Sequence, residues 1–167
     1  MAKARKQASI WHRTQKASRL KKANQDAQEI INKIDLENKY VLELALAILY
    51  LGEGSKKAEE TALGSSDPLI LKFFLTALKR IYNFDFNKIR CELYLRADQH
   101  SQHIKNYWAK ELGLPLSNFR QVSKDKRTQG SKTYAHYKGV CNLRCGDISI
   151  KRRLLNIAQL FCKGVSS

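Results

Sequence analysis

A single carboxylate, Glu53, stands between Gly52 and Gly54 at the end of a long apolar run. The run extends from Tyr40 to Leu51, and its one charged residue is Glu43. It is too short to span a membrane and too apolar for a surface helix, so it predicts a helix that is buried on most sides. A carboxylate at the end of such a helix, in a basic protein, is placed where a divalent cation and a phosphate could meet it. Glu53 is therefore a candidate ligand for a metal ion beside a phosphate.

The charge of the chain indicates nucleic acid as the partner. The 167 residues include 31 Lys and Arg against 15 Asp and Glu, which gives a net charge of +16. A net charge this large and of one sign indicates what kind of partner the protein binds, and it does not indicate the fold. No segment has the split between a basic face and a Trp/Leu face that is typical of a membrane-surface helix, so we expect no membrane partner.

The start of the chain is charged and lacks the apolar stretch of a signal peptide. This favours a cytoplasmic protein, or one in the nucleoid or an organelle where its DNA target lies, with four reduced cysteines. The first 22 residues carry eight Lys or Arg and no acid. We expect a flexible arm over 1–12 and a helix over 13–34, so that 1–39 form a basic N-terminal region and 40–167 the main domain. The residues predicted to contact phosphates here are Arg13, Lys16, Arg19, Lys21 and Lys22.

After the buried helix the sequence predicts three helices and four strands. The helices cover 68–82, 99–112 and 148–162, and the strands cover 57–64, 88–96, 118–124 and 140–145. Helices and strands are mixed within one domain, which is the α+β class.

Apolar and polar residues alternate strictly in the strands 88–96 and 140–145. The apolar set faces a core, and the polar set forms an outer sheet face. Arginine and asparagine can pair with base edges, and lysine and arginine with phosphates. The predicted nucleic-acid-binding residues of this face are Arg90, Tyr94, Arg96, Asn142 and Arg144. Those of the basic segment between the last two strands are Lys124, Lys126, Arg127, Lys132 and Lys138.

The segment from Leu46 to Gly54, with the sequence LAILYLGEG, resembles the motif of the LAGLIDADG homing endonucleases. The letters that match are those of Leu46, Ala47, Leu49 and Gly54. Glu53 stands where the family keeps its catalytic acid, and the resemblance covers about 40–162, the size of one such domain.

The resemblance implies a LAGLIDADG-type domain, in which an antiparallel sheet binds nucleic acid and the buried motif helix lies at a dimer interface. Because the chain has one motif, it implies a homodimer built on residues 44–52. It also implies double-stranded DNA as the partner, Mg²⁺ or another divalent cation as the cofactor, and site-specific DNA cleavage. Glu53 would be the catalytic metal ligand, and the carbonyl of Gly52 a second contact to the metal.

Three departures from the motif bear on cleavage more than on binding. Ile48 replaces the glycine that lets two motif helices approach, Leu51 replaces the first aspartate, and Glu53 is one methylene longer than the family's acid. Two alternatives therefore stay open. One is a sequence-specific DNA-binding regulator that keeps the scaffold without cleavage. The other is an RNA-binding protein of the maturase or ribosome-associated kind, with RNA ranked behind duplex DNA.

Overall fold

A computed structural model describes residues 2–167, and the side chains of all of these but 2–6, 8 and 9. Its contacts divide the chain into a unit that ends at Asn38 and a unit Lys39–Ser167. The first unit is built on one helix, α1 (Ala2–Ile31), whose described side chains are almost all exposed. The predicted flexible arm is wrong for residues 2–12, which continue the helix. This stretch holds no glycine or proline and is rich in Ala, Lys, Arg and Gln, which are strong helix formers.

The unit Lys39–Ser167 has the predicted α+β class. Its helices are α2 (Lys39–Glu53), α3 (Pro68–Tyr82), α4 (Ser101–Leu112) and α5 (Ile148–Ser166). Its strands are β1 (Ala62–Ser65), β2 (Arg90–Arg96), β3 (Phe119–Asp125) and β4 (Val140–Arg144). The predicted weak strand 57–64 is reduced to the four residues of β1, because the segment before it is a loop held by hydrogen bonds.

The four strands form one mixed sheet in the order β1-β4-β2-β3. Strand β4 runs antiparallel to β1 and β2, whereas β2 and β3 run parallel. The predicted antiparallel sheet is therefore wrong for this pair. Helix α4 connects β2 to β3 and returns the chain to the end of the sheet where β2 began, as a parallel pair requires. The carboxyl ends of β2 and β3 consequently lie side by side.

One face of the sheet is covered by helices, and the other is open. The predicted alternation is confirmed in β2, where Cys91, Leu93 and Leu95 are buried in a core shared with the helices. Cys141 and Leu143 of β4 point to the same side. The polar residues between them face outward, so the open face is a continuous polar surface.

The one charge of the apolar run is buried between three helices. Glu43 of α2 accepts hydrogen bonds from Arg153 Nε of α5 at 2.6 Å and from Tyr82 OH of α3 at 2.8 Å. The bond from Arg153 holds the pKa of Glu43 below its usual value. A buried carboxylate is tolerated because both partners satisfy it, and the cluster fixes α2 against its neighbours.

Candidate nucleic-acid interface

Helix α2 ends against the edge strand β1, and the glycine of the motif makes this possible. Gly54 forms a β-bridge with Leu63 of β1. A Cβ atom on Gly54 would lie 2.6 Å from the ring of Tyr50, so a side chain does not fit there. Tyr50 also holds the junction through its hydroxyl, which accepts a hydrogen bond from the N–H of Ala62 at 3.2 Å. This packing fixes Glu53, the preceding residue, at the β1 edge of the sheet.

Glu53 itself is exposed, and one chain supplies few further metal ligands around it. Within the part of the chain that the structure describes, no group of three His, Cys, Asp or Glu side chains could hold a metal ion. The carbonyl of Gly52, predicted as the second metal contact, accepts a hydrogen bond from Lys56 Nζ at 3.1 Å. A cation at Glu53 would therefore have to displace Lys56 and take oxygen ligands from outside this chain, such as DNA phosphates.

A buried lysine holds the loop that follows Glu53. Lys151 is 8% exposed, and its Nζ donates to the carbonyls of Lys56, at 2.7 Å, and Ala58. These charge-assisted bonds position the connection between α2 and β1. Lys151 was not identified from the sequence as a structural residue. The signal was its spacing, since Lys151 lies three residues before the buried Leu154, on the same side of the helix.

Glu60, an acid that the sequence analysis did not identify, organises one end of the open sheet face. It accepts hydrogen bonds from Arg90 Nη2 at 2.8 Å, from Arg144 Nε at 2.6 Å and from the N–H of Gly146 at 3.0 Å. The pKa of Glu60 is lowered from its usual value. Burial alone would raise it, but the hydrogen bonds and positive charges of Arg144 and Arg90 have the larger combined effect. Glu60 is therefore a carboxylate that fixes two arginines in place.

Glu92 plays the same part in the middle of the face. It accepts from Arg144 Nη1 at 3.0 Å, from Tyr94 OH at 3.0 Å and from Asn142 Nδ2 at 3.3 Å. The structure thus brings together four of the five residues predicted on this face around Glu60 and Glu92. The four are Arg90, Tyr94, Asn142 and Arg144. Two guanidinium groups face two carboxylates, so the centre of the face is close to neutral and its side chains are held in fixed positions.

Positive charge lies at the two ends of β2 instead. At the amino end, Lys88 and Arg120 line a cavity of about 650 Å³ together with Asp147 and with Arg90, whose charge is offset by Glu60. Lys88 and Arg120 were not among the predicted contact residues, although both are exposed. At the carboxyl end, Arg96 and the exposed Lys132 line a second cavity of about 690 Å³.

The predicted basic segment between β3 and β4 is only partly available to a partner. Arg127 donates from Nε and Nη2 to the carboxylate of Asp125 at 2.9 and 3.0 Å, and these bonds lower the pKa of Asp125. Lys138 Nζ donates to the carbonyl of Ala135 at 2.8 Å. Lys124 Nζ lies 3.3 Å from the carbonyl of Ala97, whereas the side chain of Lys126 is exposed.

In the first unit, all five predicted contact residues of α1 are exposed. Successive residues of an α-helix turn by about 100°, so these five spread around more than half of its circumference. Their side chains form a broad positive surface rather than a single stripe. The five are Arg13, Lys16, Arg19, Lys21 and Lys22.

Comparisons with protein-family models, with curated proteins and with solved structures found no match to this chain. Among the described residues, no helix combines the length and the apolar character needed to cross a bilayer. Any assignment of function depends on the site itself and on the nine residues Leu46–Gly54 that resemble the LAGLIDADG motif.

Proposed function

We propose that the protein binds double-stranded DNA on the open face of its mixed sheet and cleaves it with a divalent cation, as a LAGLIDADG-type homodimer. The position of Glu53 carries the proposal. It is an exposed acid, held by the packing of Gly54 at the edge of a polar sheet face, in a chain of net charge +16. An exposed acid at the border of a polar face, in a protein of this net charge, is suited to hold a cation beside a phosphate.

The distribution of charge on the face supports duplex binding. A duplex groove presents base edges between two rows of phosphates, and phosphate contacts position a protein whereas base contacts give specificity. Strand β2 has seven residues and spans about 20 Å, with the exposed Lys88 and Arg120 near its amino end and Arg96 at its carboxyl end. Between them, Tyr94 and Asn142 are polar and donate hydrogen bonds to Glu92, which also accepts one from Arg144 of the neighbouring strand. Cations at the ends would meet phosphates, and the fixed centre would meet bases.

The homodimer supplies what one chain lacks. Phosphodiester hydrolysis by a metal ion needs several oxygen ligands, and among the described residues of one chain no group of three His, Cys, Asp or Glu side chains could supply them. Helix α2 has an exposed apolar stripe formed by Val41, Ala45 and Ile48, which are spaced along one side of the helix. The stripe ends about one turn before Glu53. A two-fold contact along it, with the axis running along the two helices, would bring the Glu53 residues of both protomers towards the symmetry axis.

The structure corrects the predicted interface in one respect. Within 44–52, Leu46, Ala47 and Tyr50 are fully buried in their own chain, so they cannot face a partner. Ile48, which replaces the family's first glycine, is 39% exposed and lies in the stripe. A bulky residue at the contact would hold the two helices further apart than a glycine does.

Selection from a randomised duplex library, with Mg²⁺ or with EDTA, tests the proposed activity. We expect cut products that share one recurrent site in Mg²⁺, and uncut duplexes bound at the same site in EDTA. Selection of a site without cutting would favour the DNA-binding regulator, which the hydrogen bond of Lys56 to Gly52 also favours because it occupies the second metal contact. Preference for structured RNA at equal salt would favour the RNA-binding alternative.

Ile48→Arg should convert the dimer to a monomer. The substitution places a charge at the end of the apolar stripe nearest Glu53, and an unpaired charge buried in a helix contact is strongly unfavourable. Light scattering at tens of micromolar protein measures the mass of both forms. The control is Gln102→Arg, which adds the same charge at an exposed position of α4 and should leave the mass unchanged. A monomeric wild-type protein at this concentration would contradict the two-protomer site.

A further inference from the structure

A cavity lies where the parallel strands β2 and β3 end. Its volume is about 690 Å³, and small-molecule sites are typically about 300–1,000 Å³. Tyr94 and Arg96 of β2, Asp125 of β3 and the segment 126–139 form its walls. In open sheets with parallel strands, the crevice beyond the carboxyl ends of the strands is the usual position for a ligand.

The walls of this cavity are held in place before any ligand binds. The segment 126–139 is tied by hydrogen bonds to the turn that follows β2. The bonds run from Ala97 N to Thr128 Oγ1 at 2.8 Å, from Thr133 N to Asp98 Oδ2 at 2.7 Å and from Gln99 Nε2 to the Tyr137 carbonyl at 2.8 Å. A preformed site loses little conformational entropy on binding.

The cavity offers an anion two cations and an unused donor. The two acids near Arg96 are both occupied: Asp125 accepts two hydrogen bonds from Arg127 at 2.9 and 3.0 Å, and Asp98 accepts one from Thr133 N at 2.7 Å. Arg96 makes no hydrogen bond to either acid, and its buried Nε has no hydrogen-bond partner among the residues described. A buried donor without a partner is costly, and an oxygen of an anionic ligand would satisfy it. Lys132, exposed on the rim, adds a second cation.

The rim also presents aromatic rings. Tyr134 is 77% exposed, and its ring stacks on His136 with the centroids 5.8 Å apart and the planes inclined by 16°. Tyr94 contributes a second partly exposed ring on the opposite strand wall. Exposed aromatic side chains beside cations are the groups that stack on bases in single-stranded nucleic acid.

We propose that this cavity binds one nucleotide, with its phosphate on Arg96 and Lys132 and its base on Tyr134. The shared chemistry is a phosphate joined to a planar base, whether in a free nucleotide or in an unpaired nucleotide of a nucleic acid. The site does not rest on duplex cleavage, because a paired duplex keeps its bases within the stack. It would be present equally in an enzyme, a regulator or an RNA-binding protein.

Titration of the full-length protein with four probes tests this site: a nucleoside 5′-monophosphate, the nucleoside, inorganic phosphate and a short single-stranded oligonucleotide. We expect the monophosphate to bind at least about tenfold more tightly than the nucleoside or phosphate alone. If the oligonucleotide competes with the monophosphate for the cavity, the natural ligand is an unpaired nucleotide of a nucleic acid. If it does not compete, the natural ligand is a free nucleotide. Both outcomes support the site. Equal binding of phosphate and monophosphate, or no binding of any probe, would overturn it.

Two variants of exposed residues separate this site from general attraction of anions. Tyr134→Ala removes the ring and Lys132→Gln removes a charge, and neither side chain contributes to the core. Each should weaken binding of the monophosphate about tenfold. The controls are Phe161→Ala on α5 and Lys110→Gln on α4, which change the same kinds of exposed side chain outside the cavity. If the controls weaken binding as much as the cavity variants do, the site is refuted.

Discussion

Glu53→Gln is expected to abolish Mg²⁺-dependent cleavage of the selected site and to leave duplex binding unchanged or slightly tighter. The amide keeps the shape of the side chain but is a much weaker ligand for a hard cation. A bound cation stabilises the transition state by several kcal/mol, so single-turnover cleavage should fall by about a thousandfold or more. Because Glu53 is exposed, the substitution should not affect folding. Removal of a negative charge near the phosphates accounts for tighter binding.

Glu59→Gln provides the matched control, because it neutralises an exposed acid of the adjacent loop and should leave cleavage intact. Glu53→Asp restores the acid of the LAGLIDADG family with a shorter reach, and it should retain activity if a carboxylate at this point is what matters. In a dimer, two Glu53 carboxylates near the axis repel each other, and a metal ion relieves the repulsion. Unchanged cleavage by Glu53→Gln would exclude Glu53 as the metal ligand. If the wild-type protein selects a site but never cuts it, the enzyme is excluded and the DNA-binding regulator remains as the proposed function.

Local features of the sequence predicted the elements well. Helix α3 was expected over 68–82 and is found at Pro68–Tyr82. Asp67 accepts a hydrogen bond from Leu69 N, Pro68 fits the first turn, and Asn83 ends the helix in the left-handed region with φ of 48°. Each of these signals depends on neighbouring residues alone. The alternation in β2 and β4 is local in the same way, which is why the inner and outer faces were assigned correctly.

Contacts between distant residues could not be predicted in this way. The parallel pairing of β2 with β3 is what a strand–helix–strand order favours, and the antiparallel sheet was expected only from the resemblance to the LAGLIDADG family. Glu60 lies 84 positions from Arg144 in the sequence, so nothing local joins them. The consequence for the site is considerable, since two of the three arginines predicted on the sheet face, Arg90 and Arg144, are paired with acids. The charge of Lys151 is likewise evident from the sequence, but the two carbonyls that it binds, those of Lys56 and Ala58, are not.

The affinity for duplex DNA should fall by about 10³–10⁵ between 50 and 200 mM salt, if about six to ten phosphates are contacted. The structure changes which residues should cause this fall. Arg90 and Arg144 are neutralised by Glu60 and Glu92, so the free charges of α1 and of the ends of β2 should dominate. Counterion release follows the number of phosphates neutralised, which makes the slope of log affinity against log salt a count of those contacts.

Replacement of the five exposed basic residues of α1 by glutamine tests their share of this slope. Glutamine is a good helix former, so the helix should persist while its charges are removed. If all five contact phosphates, the slope should decrease by about 4–5, at about 0.9 for each contact. The control combines Lys79→Gln and Lys110→Gln, two exposed positions of α3 and α4 on the helical side of the unit, and should leave the slope as it is. An unchanged slope in the variant with all five substitutions would show that these five residues of α1 make no phosphate contacts. The cations at the ends of β2 would then have to supply them all.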